Sequence, residues 1–486
     1  MSAAQVECAG RAATGRRHKV VLYNPTAVFF TMPLALLAIA SELDPHLYEV
    51  VIVDGRLERD PVAAVLAQLE GALCLGVTVL TGAPIRDALR VSRAAKRARA
   101  DLPVVWGGWH PSMFARECLT EPCVDVTVRG QGELTFKEIV ARLAEGRSLE
   151  GCAGCTLRRA DGSIHDNPPR PLAPLDSFRA HDYGLIPVER YYELKGKRQL
   201  DFISSQGCHF RCAFCSDPFV YERKWVGLEP TRMALRLREL WDRYRFDDVN
   251  FQDETFFTRR DRVRALADGI IESGLSITWA ATMRADQGVR LPDEIWQRCK
   301  QSGLRRLLVG VESGSDEMLR RIRKDIKIEQ VYRTAEQMLN YGIAGHFPFI
   351  VGFPDESDAA VQATLDCAQR LRSMSPDFLT PIFYFKPYPG SALVIEAVAR
   401  GFQLPETLEA WSQFDYVAGS PGPWVSAAKY RLIERFKFFH ELAWKRVSPG
   451  KRLLQRIARY RCTTNQYRWP VEMLLTRWLV PAQTLS

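Results

Sequence analysis

Apolar and polar positions alternate in two long blocks of this chain. In the first block, 19–150, short apolar runs such as VVLYNP and YEVVIVDG end in Asn-Pro or Asp-Gly, and amphipathic stretches follow them. The apolar runs predict buried strands and the amphipathic stretches predict helices. Strands are predicted at 20–25, 48–55, 72–80, 103–108 and 124–130, and helices at 33–43, 61–70, 84–99 and 133–145. This alternation predicts an α/β domain with a doubly wound parallel sheet.

The alternation stops at 151–199 and resumes at 200–400. CTLRRADGSIHDN predicts a hairpin around Asp161 and Gly162, and the Pro-rich NPPRPLAPLDSF predicts a linker. Further strands are predicted near 201–205, 247–252, 277–282, 305–311, 346–351 and 379–386. Six βα units predict a partial or full (β/α) barrel, whose chemistry would occur at the C-terminal ends of the strands. We expect 1–18 to be a flexible N-terminus and 401–486 to be mostly helical.

Composition and charge narrow the class of protein. The chain has 486 residues, 47% hydrophobic and 25% charged, which is typical of globular proteins. Its formal net charge of +9 is spread among mixed signs, which argues against a nucleic-acid partner. The N-terminal segment carries no apolar run typical of a secretory signal, and no stretch of the sequence is apolar enough to span a membrane. We therefore expect a cytoplasmic protein, where the 12 Cys favour metal or redox chemistry over disulfides.

Three cysteines stand together directly after the first strand of the second block. The segment SSQGCHFRCAFCSDP contains Cys208, Cys212 and Cys215, separated by three and then two residues. Thiolates bind iron–sulfur clusters, and three of them leave one iron of a [4Fe–4S] cluster without a protein ligand. A structural zinc site with a remote fourth ligand is the alternative, although such sites usually pair two hooks of the C-x₂-C type.

The motif C-x₃-C-x-F-C resembles the signature of the radical S-adenosylmethionine (SAM) superfamily. The resemblance implies a [4Fe–4S] cluster on Cys208, Cys212 and Cys215, SAM at the open iron, and Phe214 beside the adenine. FIVGFPDES and YFKPYPGS resemble later strands of the family, and GVESGSDEMLRRIRK implies that Glu312 and Ser313 approach the ribose and methionine of SAM. Gln252, Asp253 and Glu254 replace the family's usual Gly-Gly-Glu, so their implied contact to the methionine amine stays open.

The first block resembles the cobalamin-binding domains that one subclass of these enzymes carries. The similar segments are TVLTG (78–82), WGGWHPS (106–112) and RGQGE (129–133). The cobalamin contacts that the resemblance implies are Thr78, Leu80, Thr81, Gly107, Gly108, Trp109, His110, Gly130 and Glu133. The first loop, NPTAVFFTMP, lacks the His of the D-x-H-x-x-G motif, so cobalt would have no ligand from that motif. We interpret His110 as a hydrogen-bonding residue of its turn; a purely structural domain is the alternative.

The two resemblances together imply a cobalamin-dependent radical SAM enzyme. The implied reaction is C-methylation of an unactivated carbon through a 5′-deoxyadenosyl radical. A radical oxidative cyclase is a second hypothesis, because the anaerobic magnesium-protoporphyrin monomethyl ester cyclase group joins similar domains. A methylthiotransferase acting on tRNA and a non-catalytic cobalamin carrier complete the alternatives. We expect a small-molecule or lipid-like substrate and an electron donor such as flavodoxin or ferredoxin; no catalytic residue is identified.

The C-terminal region is basic and aromatic. The segment that follows Tyr430 reads RLIERFKFFHELAWKRVSPGKRLLQRIARYR. Its helices are predicted to pack on the barrel with their charges solvated; a peripheral contact with a membrane surface is the second interpretation. The C-x₂-C of Cys152 and Cys155 is interpreted as apolar packing.

Overall fold

The computed structural model describes residues 17–27, 30–414, 419, 421–445, 452–468, 470 and 472–473. Most of the predicted flexible N-terminus, 1–18, lies outside the described residues. So does most of 471–481, where the sequence VEMLLTRWLVP predicts an amphipathic segment.

The first domain is built on one seven-stranded sheet. Its strands are β1 (His18–Asn24), β2 (Tyr48–Asp54), β3 (Ala72–Thr78), β4 (Val104–Gly107), β5 (Val126–Val128), β6 (Cys155–Arg158) and β7 (Ile164–Asp166). The order is β2-β1-β3-β4-β5-β6-β7; β1 to β5 are parallel, and the hairpin β6–β7 adds two antiparallel strands. Successive strands are added on one side of β1 and then on the other, so the strand order reverses between β1 and β3. In such sheets ligands bind beyond the carboxyl ends of the strands at that point.

Six helices cover the two faces of this sheet. They are α1 (Leu34–Ser41), α2 (Pro61–Leu66), α3 (Ala83–Ala98), α4 (Trp109–Met113), α5 (Ala115–Cys118) and α6 (Glu133–Ala144). Asp60 caps α2, because its carboxylate accepts the amides of Val62 and Ala63. The strands bury alternate side chains in two separate apolar clusters, one on each face. The predicted doubly wound α/β domain is confirmed.

The second domain is a partial barrel. Its strands and short bridging strands are β8 (Gln199–Phe202), β9 (Ser205–Gly207), β10 (Trp225–Gly227), β11 (Asp248–Phe251), β12 (Thr278–Arg284), β13 (Leu304–Gly310), β14 (Ala344–His346), β15 (Phe349–Val351), β16 (Phe378–Leu379) and β17 (Ile382–Tyr384). Six strands form one parallel sheet in the order β16-β14-β13-β12-β11-β8, so β8 and β16 are its edges. The strands β15 and β17 pair in parallel beyond the ends of β14 and β16. Of the two predicted forms, the partial barrel is confirmed.

Ten helices accompany the linker and the barrel. They are α7 (Val188–Lys195), α8 (Asp217–Val220), α9 (Pro230–Tyr244), α10 (Arg260–Glu272), α11 (Ala285–Arg290), α12 (Asp293–Gln301), α13 (Asp316–Arg321), α14 (Ile328–Asn340), α15 (Asp358–Met374) and α16 (Ala392–Ala399). Apolar residues on the outward faces of β8 and β11 to β13 pack against these helices in one continuous core.

The C-terminal helices pack on both domains. They are α17 (Leu408–Trp411), α18 (Ala427–Trp444) and α19 (Arg452–Thr463). Leu408 and Trp411 belong to an apolar cluster of the first domain, whereas Ile433, Phe436 and Phe439 of α18 are buried in the barrel core. The packing predicted for the basic helices is therefore present in α18. Within the described part of the chain, no helix combines the length and apolarity that crossing a bilayer requires.

The two domains share a buried contact. Met32, Leu34 and Leu37, although part of the first domain, belong to the apolar core of the barrel. The backbone amide of Met32 donates to the Asp201 carboxylate at 2.7 Å, and Asp201 is fully buried on β8. The carboxyl ends of the first sheet therefore face the mouth of the barrel.

Candidate functional site

The cysteine loop leaves β9 at the mouth of the barrel and is held by three other segments. Gly207 precedes Cys208 with φ +83, and a Cβ there would lie 2.4 Å from the carbonyl oxygen of Lys224, so only Gly fits. The amide of Ala213 donates to the Ile322 carbonyl at 2.8 Å, and the Ala213 carbonyl accepts from Leu393 at 2.9 Å. The three thiols are therefore presented by a fixed backbone.

Cys208, Cys212 and Cys215 are half-buried. Burial raises the pKa of Cys208 to about 11, and a bound iron would act in the opposite direction because it stabilises the thiolate. Among the residues that the structure describes, no three His, Cys, Asp or Glu side chains converge on one metal ion. A zinc ion needs its ligands within about 2.3 Å of a single centre. Each thiolate of an iron–sulfur cluster binds a different iron, so a cluster and a single zinc ion require different spacings of the three thiols.

A buried ion pair lies beside this loop. Lys324 Nζ donates to Glu312 Oε1 at 2.8 Å, and both side chains are less than a tenth exposed. Burial is the largest single influence and acts to lower the pKa of Lys324, but the charge and hydrogen bond of Glu312, together with the neighbouring Cys212, outweigh it and the net shift is upward. Glu312 has φ +68, a conformation that costs free energy in a non-Gly residue and that is typical of functional sites.

Phe214 and Ser313 lie near this pair. The Phe214 ring is 5.9 Å from Lys324 Nζ and packs edge-on against Phe353 at 6.3 Å between centroids. Ser313 is fully buried, and its hydroxyl lies 3.1 Å from the Thr364 hydroxyl on α15. The predicted contacts of Phe214, Glu312 and Ser313 with SAM stay predictions, but the structure places all three residues at the barrel mouth.

The residues after β11 have three different environments. Gln252 Nε2 donates to Asp201 Oδ1 at 3.0 Å. Asp253 is buried and accepts from the amide and hydroxyl of Ser204 and from the Ser205 hydroxyl, so it fixes the turn that leads into the cysteine loop. Glu254 has one buried carboxylate oxygen without any partner, and burial raises its pKa well above the usual value. Glu254 is therefore suited to hold a proton at neutral pH.

A cavity of about 330 Å³ lies between the two domains. Its wall in the first domain includes Thr78, Leu80, Gly107, Gly108, Trp109, Gly130 and Glu133; its wall in the barrel includes Gln206, Tyr221, Gln252 and Glu254. Seven of the nine residues predicted to bind cobalamin therefore line one surface, opposite two of the residues predicted to bind SAM.

Glycines make room for this surface at the ends of β4. Gly108 has φ +98, and a Cβ there would lie 3.0 Å from both Thr78 Oγ1 and the Val79 carbonyl. A Cβ on Gly107 would meet only the Val128 Cβ, at 3.7 Å, so this position is open on the cavity side. Gly107 can therefore admit a flat ligand to the strand end, as cobalamin binding requires.

Thr81 and His110 do not belong to the cavity wall. His110 is fully buried, its Nδ1 lies 3.1 Å from Thr81 Oγ1, and its ring contacts Trp411 at 5.7 Å between centroids. Burial lowers the pKa of His110 to about 3, so the ring is neutral. His110 thus has the hydrogen-bonding role that we expect from its turn, and a contact of Thr81 or His110 with cobalamin stays a prediction.

Sequence reasoning missed Arg284, Gln206 and Tyr221. Arg284 follows the apolar strand WAATM, and this strand end was a signal for a residue at the barrel mouth. Gln206 Nε2 donates to Glu133 Oε1 at 2.8 Å across the domain boundary, and Tyr221 packs edge-on against Trp109 at 5.8 Å between centroids. Both partners are distant in sequence, so no local pattern could have indicated them.

Comparison with known proteins gives matches to both domains. The Radical SAM superfamily model matches residues 202–368, and the B12 binding domain model matches residues 21–140. An uncharacterized methyltransferase of Pyrococcus horikoshii is 31% identical over 79% of this chain and 82% of its own length. The anaerobic magnesium-protoporphyrin IX monomethyl ester cyclase of Synechocystis is 25% identical over 83% of this chain and 80% of its own length. The solved structure of the radical SAM methyltransferase TsrM from Kitasatospora setae, with tryptophan and a SAM analogue, has a TM-score of 0.72 and 17% identity, covering 89% of this chain and 90% of that one.

Proposed function

Because this chain belongs to the cobalamin-dependent radical SAM methyltransferase family, we propose that it methylates an unactivated carbon of a small molecule. The family membership confirms the resemblance inferred from the cysteine motif and from the strand-end glycines. The carbon, the substrate and the residues that contact them belong to the proposal.

The observation that carries the proposal is the cavity shared by the two domains. A single surface is lined by Gly107 and Gly108 at the ends of β4 and by Gln252 and Glu254 at the ends of β11. A substrate carbon bound in this cavity would lie between the wall predicted to bind cobalamin and the wall predicted to bind SAM. Tryptophan in TsrM shows that a protein of this fold accepts a small molecule as substrate.

The cofactors fit residues already described. Cys208, Cys212 and Cys215 would hold the cluster, Phe214 and the Glu312–Lys324 pair would contact SAM, and the cavity wall of the first domain would hold cobalamin. When bound, the cluster and SAM supply a carbon radical and cobalamin supplies the methyl group. The chain's own contribution is to exclude water between its domains and to hold a proton on Glu254 near the substrate.

A one-electron donor is part of this proposal. The cluster loop exposes His209 and Arg211 to solvent, so a small electron-transfer protein of the flavodoxin or ferredoxin kind can approach it. Such donors work in the cytoplasm, which is the compartment that we propose for this chain.

The test measures the amounts of two reaction products. The protein is purified without oxygen and reconstituted with iron, sulfide and hydroxocobalamin, and SAM and a strong reductant are added. We expect 5′-deoxyadenosine and S-adenosylhomocysteine, with S-adenosylhomocysteine dependent on cobalamin. A variant with Cys208, Cys212 and Cys215 changed to Ala should lack the cluster and form no 5′-deoxyadenosine. A wild-type protein that assembles no cluster would overturn the proposal.

The relative from Synechocystis favours one second candidate, a radical oxidative cyclase, because its similarity extends over most of both chains. This reaction would give 5′-deoxyadenosine without cobalamin-dependent S-adenosylhomocysteine in the same assay. The product ratio therefore separates methylation from cyclisation.

A tRNA methylthiotransferase would need a second cluster, for which Cys74, Cys118 and Cys123 are badly placed. Cys74 is buried on one face of the first sheet, whereas Cys118 and Cys123 are buried in the cluster on the other face. A sheet lies between them, so these three thiols cannot share a cluster. A non-catalytic carrier would not need the cysteine loop, and the same assay tests it.

A further inference from the structure

One buried guanidinium contacts the cysteine loop from the end of β12. Arg284 Nη1 lies 3.5 Å from Cys212 Sγ and can donate to it. The Arg284 guanidinium carbon stands 3.7 Å from the centroid of the Phe210 ring, in the geometry of a cation–π contact. Arg284 therefore touches the loop at two points, one of which is a sulfur that would bind iron.

The guanidinium is fixed from its other side. Arg284 Nε donates to Asp286 Oδ1 at 3.1 Å, and Nη2 donates to the Lys324 carbonyl. The side chains of Arg284 and Asp286 are 8% and 3% exposed, so water screens this pair weakly. A charge held in this way keeps its position whether the loop carries a cluster in its oxidised or its reduced form.

We propose that Arg284 is a positioning residue that raises the reduction potential of the cluster through Cys212. Reduction adds one electron to the cluster, so its negative charge grows and a nearby cation stabilises the reduced form more than the oxidised form. Hydrogen bonds to the cluster's sulfur ligands act in the same direction, because they withdraw electron density from the iron. Asp286 opposes this effect, since it is a buried anion on the same guanidinium.

This inference rests on the part of the proposed function that places a cluster on the three cysteines, and not on the reaction. Asp286 has a second partner, Arg290, whose Nη2 lies 3.1 Å from Oδ2. The Arg290 side chain is 69% exposed and, within the described part of the chain, makes no hydrogen bond or ion pair with the cysteine loop. Arg290 therefore provides a matched control, because it has the same charge and the same partner, Asp286, as Arg284 but does not contact Cys212.

The test measures the midpoint potential of the reconstituted cluster, poised with dithionite and mediators and followed by electron paramagnetic resonance. In Arg284→Gln we expect at least a tenfold lower ratio of reduced to oxidised cluster at a fixed poise, a shift of about 59 mV to more negative potential for one electron. Asp286→Asn should move the potential in the positive direction. Arg284→Lys keeps the charge and should recover part of the loss, whereas Arg290→Gln should change the ratio less than twofold.

Iron and sulfide analysis accompanies each variant, so loss of the cluster is distinguished from a change in its potential. If Arg284→Gln loses the cluster, Arg284→Lys and Asp286→Asn still decide the question, because the proposal requires a positive shift in Asp286→Asn. Equal potentials in wild type, Arg284→Lys and Asp286→Asn would overturn it. A wild-type protein that binds no cluster would instead overturn the proposed function.

Discussion

At the scale of the residue, buried charges concentrate at the carboxyl ends of the barrel strands. Arg284 is the last residue of β12, whereas Glu254 and Glu312 follow β11 and β13. Arg284 and Glu312 are buried, and Glu254 has one buried carboxylate oxygen. A buried charge is costly unless it is paired, so Arg284 and Glu312 have ionic partners and Glu254 is expected to hold a proton. This arrangement costs stability and is explained by the chemistry at the barrel mouth.

Glu356, after β15, is a further buried carboxyl group. Its Oε2 accepts the amides of Gly352 at 2.5 Å and Phe353 at 3.3 Å, whereas its Oε1 is buried without a partner. Burial raises the pKa of Glu356 from 4.5 to about 7. The Glu356 carboxyl group therefore ionises near neutral pH, although one of its oxygens has no hydrogen-bond partner.

We predict that Glu356→Gln raises the free energy of unfolding, relative to wild type, more at pH 8 than at pH 5. The folded pKa is raised, so the contribution of Glu356 to stability is complete below about pH 4.5 and is lost as pH rises through about 7. The upper limit of this loss is about 3 kcal/mol. Denaturant midpoints at the two pH values measure it, with the exposed Glu193→Gln as control. A pH dependence that is the same in Glu356→Gln and in wild type would contradict this assignment.

At the scale of the element, the strand ends of the first sheet are shaped by two adjacent glycines with different roles. Gly108 is required by the backbone, because it has a positive φ and a Cβ there would lie 3.0 Å from Thr78 Oγ1 at the end of β3. Gly107 is not constrained in this way and only lines the cavity. Sequence alone makes these two positions look equivalent.

We predict that Gly108→Ala destabilises the first domain by about 1–3 kcal/mol, because Ala would be strained at φ +98 and its Cβ would meet β3. Gly107→Ala should leave the unfolding midpoint almost unchanged. Both variants should retain less cobalamin than wild type, which the absorbance of the bound cofactor measures. The assignment fails if the two substitutions lower the unfolding midpoint equally.

At the scale of the whole molecule, α1 joins the two domains although it belongs to the first. Leu36 is buried in the cluster beneath the first sheet, whereas its neighbour Leu37 is buried in the core of the barrel. The hydroxyl of Ser41 on the same helix accepts the amide of Asp182 in the linker at 2.8 Å. Successive side chains of one helix therefore stabilise two different cores.

We predict that Leu37→Ala uncouples the domains. The cost should be about 2–5 kcal/mol, as for other buried Leu. Calorimetry should then resolve two unfolding transitions, and a protease should cut faster within the linker at 167–182. Leu36→Ala removes a similar apolar volume, but it should lower the stability of the first domain only. Cleavage of the linker should then be no faster than in wild type. Equal cleavage rates in the two variants would contradict a coupling role for Leu37.

The sequence by itself determined the elements and the chemistry of the loop. Alternating apolar runs indicated the strands of both sheets, because burial on a sheet has a local period that can be counted along the chain. The spacing of Cys208, Cys212 and Cys215 is equally local, and so are the glycines after β4. These features need no knowledge of which elements are neighbours in space.

Only the tertiary structure decided how those elements meet. Arg284 reaches Cys212 from 72 residues away, and Met32 reaches Asp201 from 169 residues away. His110 is excluded from the cavity and covered by Trp411, which arrives with the C-terminal region. Such contacts depend on the order of strands and the direction of crossovers, which local periodicity does not encode. They place the buried charges beside the cysteine loop.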